Sequence, residues 1–326
     1  MRVKLFLILL SKGMFKRTSY LYFLLFIIFA GCKEDNSTDD EVGFLDFPYE
    51  NFNQIHYAKR FAYMDRVYRE DEISFDSAGV VNIEYQGQRS FHPVQMFLIS
   101  ERFFHSYRLT GLEKYIRICD RQIEALTERA VRVDGAIYFP YDFDFQLHGN
   151  REVLKSPWYS GMAQGYALTL LARLYTETGN EKYKLLADKV LKSYTLEEFD
   201  NLDRSKPWIS YSDSDNYMWL SEYPTVEDTP TKALNGFIFS ASGLYELYIA
   251  TKNPDAKKLL NRSLLTLRDY IEEYRNKNGI SFYCLKHLVE SEKYHQLHIK
   301  QFQFLYDITS DSTYLEFKND FIEDFS

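Results

Sequence analysis

The stretch Leu174-Tyr175-Thr176-Glu177-Thr178-Gly179-Asn180, leading into Glu181 to Tyr194, decides the fold. One apolar-periodic segment stops at a Thr-Gly-Asn turn and another starts at once, which predicts two antiparallel helices joined by a tight polar turn. The pattern recurs on both sides. His105-Ser106-Tyr107-Arg108-Leu109-Thr110-Gly111 leads into Glu113 to Leu126, Leu247 to Asn253 leads into Asp255 to Tyr270, and Leu305-Tyr306-Asp307-Ile308-Thr309 leads into Ser312 to Phe325. The units recur about every 57–75 residues, too far apart for tetratricopeptide-type arrays but right for helical hairpins with long loops between them. Such hairpins close into an α/α toroid whose loops on one face form a cleft. The expected fold class is all-α: an α/α toroid, an (α/α)6 barrel left incomplete at four visible hairpins, with Gln54 to Tyr68 as a further helix.

Between the hairpins the chain reads as short strands, turns and loops. Gly79-Val80-Val81-Asn82-Ile83-Glu84-Tyr85 alternates like a short strand, and Gly135 to Phe145 is an extended aromatic–acidic loop. Tyr211 to Trp219 and Gly279 to Tyr283 are similar loops. No Pro/Ser-rich linker divides residues 45–326, so they read as one domain.

The N-terminus reads differently. Residues 1–31 hold five basic residues (Arg2, Lys4, Lys12, Lys16, Arg17), no acids, and the apolar run Leu21 to Ala30. That makes a secretory signal rather than a spanning helix. Met14 to Gly31 alone has the usual signal length. Phe29-Ala30-Gly31-Cys32 resembles a lipoprotein cleavage box, with Cys32 the lipidated residue, and residues 32–44 form an acidic, polar tether. The Lys33-Glu34-Asp35 that follows is similar to the export signal of Bacteroidetes surface lipoproteins. The expected location is the cell envelope, anchored to the outer membrane through Cys32 and facing outward.

The 326 residues, 45% hydrophobic, can bury a large core. Aromatics reach 17%, with 27 Tyr and 26 Phe, which fits a sugar-stacking groove as well as a helical core. Removing residues 1–31 takes away five positive charges and moves the formal charge from −8 to −13. Such a surface repels nucleic acid, and an acidic substrate must meet a local cluster of positive groups. Cys119 and Cys284 remain in the mature chain, with no disulfide framework. The seven histidines show no paired metal spacing, so neither metal nor cofactor is expected. Asp213-Ser214-Asp215-Asn216 lacks the glycine and terminal glutamate of a calcium loop.

The chemistry concentrates in the second half. Pro157-Trp158-Tyr159-Ser160-Gly161-Met162-Ala163-Gln164-Gly165 is followed by Ser221-Glu222-Tyr223-Pro224-Thr225 and Leu234-Asn235-Gly236-Phe237. Tyr283 lies in Phe282-Tyr283-Cys284-Leu285-Lys286-His287, and Tyr294 in Lys293-Tyr294-His295. A carboxylate beside phenols suits moving a proton on and off carbon. A phenol becomes a strong base once a nearby cation lowers its pKa, and Lys286, His287, His295 and His298 are the cations and donors close in sequence.

Residues 155–326 resemble the C-terminal domain of the D-glucuronyl C5-epimerases in motif order and spacing. The resemblance implies an isomerase that inverts uronic acid residues of a heparosan- or heparan-type polysaccharide by removing and returning the C5 proton. It places the proton carriers on Glu222, Tyr223, Tyr283 and Tyr294, with Glu222 and Tyr294 on opposite faces of the sugar. It gives Trp158, Tyr159, Gln164, Asn235, Lys286, His287, His295 and His298 to substrate binding, and implies a homodimer as in animal members. The usual Asp-Leu-Arg-His appears here as Cys284-Leu285-Lys286-His287, and lysine loses the bidentate grip of arginine on a carboxylate. The usual His-Ile-Asn-Gln appears as His298-Ile299-Lys300-Gln301. No room exists between residues 96 and 156 for the β-sandwich that precedes the helical domain in those enzymes. Two other readings stay open: a uronate lyase or glycosidase on the same scaffold, the latter using Asp142, Asp144 and Glu222, and a glycan-binding lipoprotein without catalysis.

Overall fold

A threonine closes each inner helix of the repeat and sets up the next one. Thr178 Oγ1 donates back to Leu174 O (2.6 Å) and accepts from Asn180 N (3.2 Å), while Gly179 takes the left-handed conformation at φ 66°. Asn180 then caps the following helix by accepting from Lys182 N (3.1 Å). Thr110, Thr251 and Thr309 repeat both contacts at their own turns. Gly111, Lys252 and Ser310 take the left-handed position there.

The computed structural model describes residues 48–149, 151–225 and 229–325; residues 1–47, with the leader, the tether and Cys32, lie outside them. Four helical hairpins result, each an 18-residue inner helix and an outer one. They are α1 (Pro93–Thr110) with α2 (Lys114–Arg129), α3 (Gly161–Thr178) with α4 (Glu181–Leu191), α5 (Leu234–Thr251) with α6 (Pro254–Tyr270), and α7 (Glu292–Thr309) with α8 (Ser312–Asp324). This is the α/α toroid architecture, with four hairpins among the described residues. Inner helices α1, α3, α5 and α7 pack side by side in that order. The approach of α3 to α5 is close enough to require glycine: a Cβ on Gly243 would lie 2.3 Å from Gly165 O, and one on Gly165 2.6 Å from Ser240 Cα.

Four two-stranded antiparallel hairpins fill the loops: β1 (Glu84–Tyr85) with β2 (Gln88–Arg89), β3 (Val131–Val133) with β4 (Ala136–Tyr138), β5 (Phe145–Leu147) with β6 (Glu152–Leu154), and β7 (Ser210–Ser212) with β8 (Met218–Leu220). The strand expected over Gly79–Tyr85 shrinks to its last two residues and a bridge between Val81 and Phe75. Gln54 to Tyr68 is not a helix beyond one 3-10 turn, Tyr57–Lys59. Its backbone and side chains are claimed by distant partners. Ile55 N donates to Tyr245 Oη (3.2 Å), Arg60 pairs with Glu246 (2.9 Å), and Phe61 packs on Phe239 and Phe304.

From the middle of α1 to the C-terminal halves of α3 and α5 a buried ion network crosses the core. Arg173 of α3 reaches Glu101 of α1 (2.6 Å) and Glu246 of α5 (2.7 Å), and Phe61 O accepts a further bond (2.9 Å). The N-terminal ends carry the site.

Candidate active site

The starts of the inner helices are stitched together by the loops that precede them. Gly161 N donates to Ser221 O (2.7 Å), and Leu234 N donates to Tyr283 O (3.0 Å). Tyr294 stands in the first turn of α7. These links bring Glu222, Tyr223, Tyr283 and Tyr294 together from three separate segments. Tyr283 Oη donates to Glu222 Oε2 (3.2 Å) and shares a 3.0 Å hydrogen bond with Tyr223 Oη. The Tyr294 ring packs edge-on against that of Tyr283, centroids 4.5 Å apart. Tyr294 is half-buried and the other three are buried.

Helix α5 begins without a side-chain cap at Ala233. The Glu222 carboxylate takes that role, accepting from Gly236 N–H in the first turn. A Cβ on Gly236 would sit 2.1 Å from Glu222 Oε2, so only glycine lets the carboxylate reach the helix end. Burial is the larger influence: it lifts the Glu222 pKa to about 7, against the smaller opposing effect of bonds from Tyr223, Tyr283 and Gly236. Glu222 therefore holds or releases a proton near neutrality, as a general acid or base must.

The phenols behave oppositely to the sequence expectation. Burial and then the Glu222 charge push Tyr223, Tyr283 and Tyr294 upward, and no cation is among the causes. They are proton donors rather than ready-made bases. Two more phenols feel the same carboxylate, Tyr141 and Tyr166, both buried and raised. Ser221 Oγ, Thr225 Oγ1 and Asn235 Oδ1, on residues that neighbour Glu222 or open α5, are buried without a hydrogen-bond partner among the described residues. Such polar atoms are what a bound polar ligand would satisfy.

The remaining expected binding residues divide. Trp158 stacks on Tyr141 (3.7 Å, 8°), donates Nε1 to Phe143 O (2.9 Å), and with Phe145 flanks the ring of Tyr223. It builds the wall behind the phenol. Tyr159, half-buried, packs on Tyr138. Gln164 departs from its expected role, because Phe139 N, Ile137 O and Ser193 Oγ all bond its amide. His295 and His298 likewise face inward: both Nδ1 atoms lie 3.0 Å from Ser281 Oγ, two residues before Tyr283, and His295 Nε2 meets Phe325 O (3.0 Å). Burial drops the His298 pKa to about 3, so it supplies no charge. Lys286 ion-pairs with the buried Glu152, which neutralises the cation expected to grip a substrate carboxylate. His287 Nε2 lies 3.7 Å from the same carboxylate.

The glycosidase pair does not assemble as proposed. Asp142 accepts from Phe91 N (2.6 Å) and faces Arg129, and Asp144 is held by Lys155 and Ser156 N, the Lys155 bond keeping its pKa below the usual range. Both side chains are exposed and engaged by these partners. Asp213 braces the β7–β8 turn by accepting from Trp219 Nε1 (2.7 Å), Asp215 N and Tyr217 N. Nothing local in the sequence marks Gly236 beyond its place in the motif, or Tyr166 on α3, or Tyr141, His148 and Glu152, which reach the region through the loops between α2 and α3.

A family model described as the D-glucuronyl C5-epimerase C-terminus matches residues 133–323. The chain is 27% identical over 179 residues to the D-glucuronyl C5-epimerase of Caenorhabditis elegans, a match covering 49% of this chain and 27% of that one. It is 25% identical over 206 residues to an uncharacterised protein of Methanocaldococcus jannaschii, covering 63% and 62%. It therefore spans less than two thirds of either relative. Among solved structures, cellobiose 2-epimerase from Bacillus thermoamylovorans B4167 superposes with a TM-score of 0.53 at 11% identity, over 78% of this chain and 67% of that one. An inactive variant of the α-1,6-mannanase GH76A of Salegentibacter sp. HEL1_6, in complex with α-1,6-mannotetrose, gives 0.50 at 15% identity over 78% and 66%. At such identities these two speak for the fold alone.

Proposed function

The chain belongs to the D-glucuronyl C5-epimerase C-terminal family, and from that premise we propose that it inverts C5 of glucuronic acid residues in a heparosan- or heparan-type glycan. The observation that carries this reading is the Glu222–Tyr283–Tyr223 chain with Tyr294 beside it: a carboxyl group with a pKa of about 7 bonded to phenols, next to buried polar atoms without partners.

The C5 hydrogen of a uronate is a weak acid because its conjugate base must delocalise into a carboxylate. Ionised Glu222 takes that proton from one face, and the electron pair moves into the C6 carboxylate as an enediolate. The Tyr294 hydroxyl returns a proton from the other face. Glu222 is then protonated and Tyr294 ionised, and a proton passing from Glu222 through Tyr283 and Tyr223, or through solvent at half-buried Tyr294, resets the pair. The positive ends of the inner-helix dipoles favour the dianionic enediolate. Lipid anchoring through Cys32, outward display and a homodimer belong to the same reading.

Incubation with a glucuronate-containing polysaccharide tests it. Iduronate residues in the product, with no chain shortening, are the expected result. Growth of unsaturated-uronate absorbance would replace the reading with a lyase, which removes the same proton and then expels the C4 oxygen.

A further inference from the structure

Beside Tyr283 three metal-ligating groups meet. His148 comes from the β5–β6 turn, and Cys284 and His287 from the loop that follows Tyr283. Cys284 Sγ lies 3.5 Å from His148 Nε2 and 3.5 Å from His287 Nδ1, and the three atoms all fall within 4.8 Å of one another. The two imidazoles pack edge-on, centroids 5.1 Å apart, and His148 also meets the ring of Tyr283 at 5.2 Å. We propose that His148 Nε2, Cys284 Sγ and His287 Nδ1 form a binding site for a divalent transition metal of the zinc type.

The two sulfur–nitrogen spacings are those of ligands around one ion. Zinc–sulfur and zinc–nitrogen bonds of about 2.3 and 2.0–2.1 Å at the tetrahedral angle set sulfur and nitrogen roughly 3.5 Å apart. Hydrogen bonding would hold the trio only weakly, the thiol donating to one ring nitrogen and accepting N–H from the other ring. A cation draws on a lone pair from all three. The donor set of one thiolate and two imidazoles selects zinc-like ions over magnesium or calcium, which take oxygen ligands.

A buried carboxylate stands behind one of the three ligands. Ligation through His287 Nδ1 leaves Nε2–H turned to Glu152 Oε2, 3.7 Å away. Glu152 is buried, and Thr231 Oγ1 (2.9 Å) and Lys286 hold it in place. A carboxylate behind a ligating histidine fixes its tautomer and raises its basicity. Binding displaces the Cys284 thiol proton to solvent, one per metal ion, and leaves a net charge of one positive unit on the ion and thiolate. Three protein ligands leave a fourth position for water. The ion would clip the β5–β6 turn to the Tyr283 loop, holding that phenol against Glu222.

The test uses the full chain, stripped with a chelator and titrated with zinc alone and, separately, cobalt alone. One equivalent of zinc binds and raises the melting temperature, and cobalt develops a thiolate-to-metal absorption band with the visible bands of a tetrahedral site. Cys284→Ser abolishes the thiolate band. His148→Asn, in a turn whose left-handed φ of 49° asparagine tolerates, weakens zinc uptake at least tenfold. Glu152→Gln weakens it about 10–100-fold with the band retained. Absence of stoichiometric zinc uptake, uptake undiminished in His148→Asn, or cobalt binding without the thiolate band would each overturn the assignment. His148→Asn lies in a partly exposed turn, so it reports on the ligand even where Cys284→Ser proves unstable.

Discussion

At the residue scale the account turns on Glu222. Its carboxyl binds a proton more tightly folded than unfolded, near 7 against 4.5. The sign follows: the folded state keeps its full advantage from this group below about 4.5 and loses it as pH rises through 7. The cost above pH 7 is on the order of 3–4 kcal/mol, taking 1.36 kcal/mol per pKa unit. Glu222→Gln carries no such cost, so its melting temperature relative to the native protein should be higher at pH 8 than at pH 5; an unchanged difference would mean that the carboxyl is not perturbed. Because the ionised form is the base, kcat/KM in the native protein should climb with pH to a plateau above about 7 and fall again only where phenols ionise. Tyr294→Phe keeps the ring contact with Tyr283 and removes the returning proton, so turnover should drop by about 10²–10⁴-fold while glycan binding persists. Comparable loss of binding would make Tyr294 a substrate ligand instead. These four residues were legible as motifs, but their meeting in one place was not, because it rests on contacts between segments far apart in sequence. Gln164, His295 and His298 misled because a polar side chain looks the same in sequence whether its partner is a sugar or a backbone group on a distant segment.

At the element scale the helical hairpins were readable because their information is local: a 3.6-residue apolar period, a threonine, then a residue able to sit at positive φ. Lys252 fills that last place at φ 56° where Gly111 and Gly179 serve other turns. Lys252→Gly should stabilise the α5–α6 turn by about 0.5–1 kcal/mol, seen as a raised denaturant midpoint with an unchanged slope. The α3–α5 seam makes a long-range demand instead, between glycines on different helices. Gly243→Ala drives a methyl onto Gly165 O and should destabilise by about 1–3 kcal/mol or more. The segment Gln54–Tyr68 was misread as a helix for the converse reason. Tyr245, Glu246 and Phe304, about 190 or more residues downstream, decide its course, and no local period encodes them. The trio His148, Cys284 and His287 escaped for the same reason, since 136 residues separate His148 from Cys284.

At the scale of the whole molecule the bodies and the starts of the inner helices divide the labour. The bodies are pinned by Arg173, fully buried between Glu101 and Glu246. Arg173→Ala leaves buried Glu101 without its cation and Glu246 with Arg60 alone, and should cost about 3–5 kcal/mol, whereas removing Glu101 together with Arg173 should cost less. The starting end gathers Glu222, Tyr223, Tyr283 and Tyr294 around the starts of α5 and α7, where the helix dipoles favour negative charge. The formal charge of −8 makes that local arrangement more telling, because the surface as a whole does not attract an acidic glycan. The central claim is that this end removes and returns a proton at C5. Incubating the protein with glucuronate-containing glycan in deuterated water measures that step directly. Deuterium should enter C5 of both glucuronate and iduronate residues, and Glu222→Gln should abolish the incorporation. No deuterium at C5, with the protein folded and the glycan bound, would contradict the account.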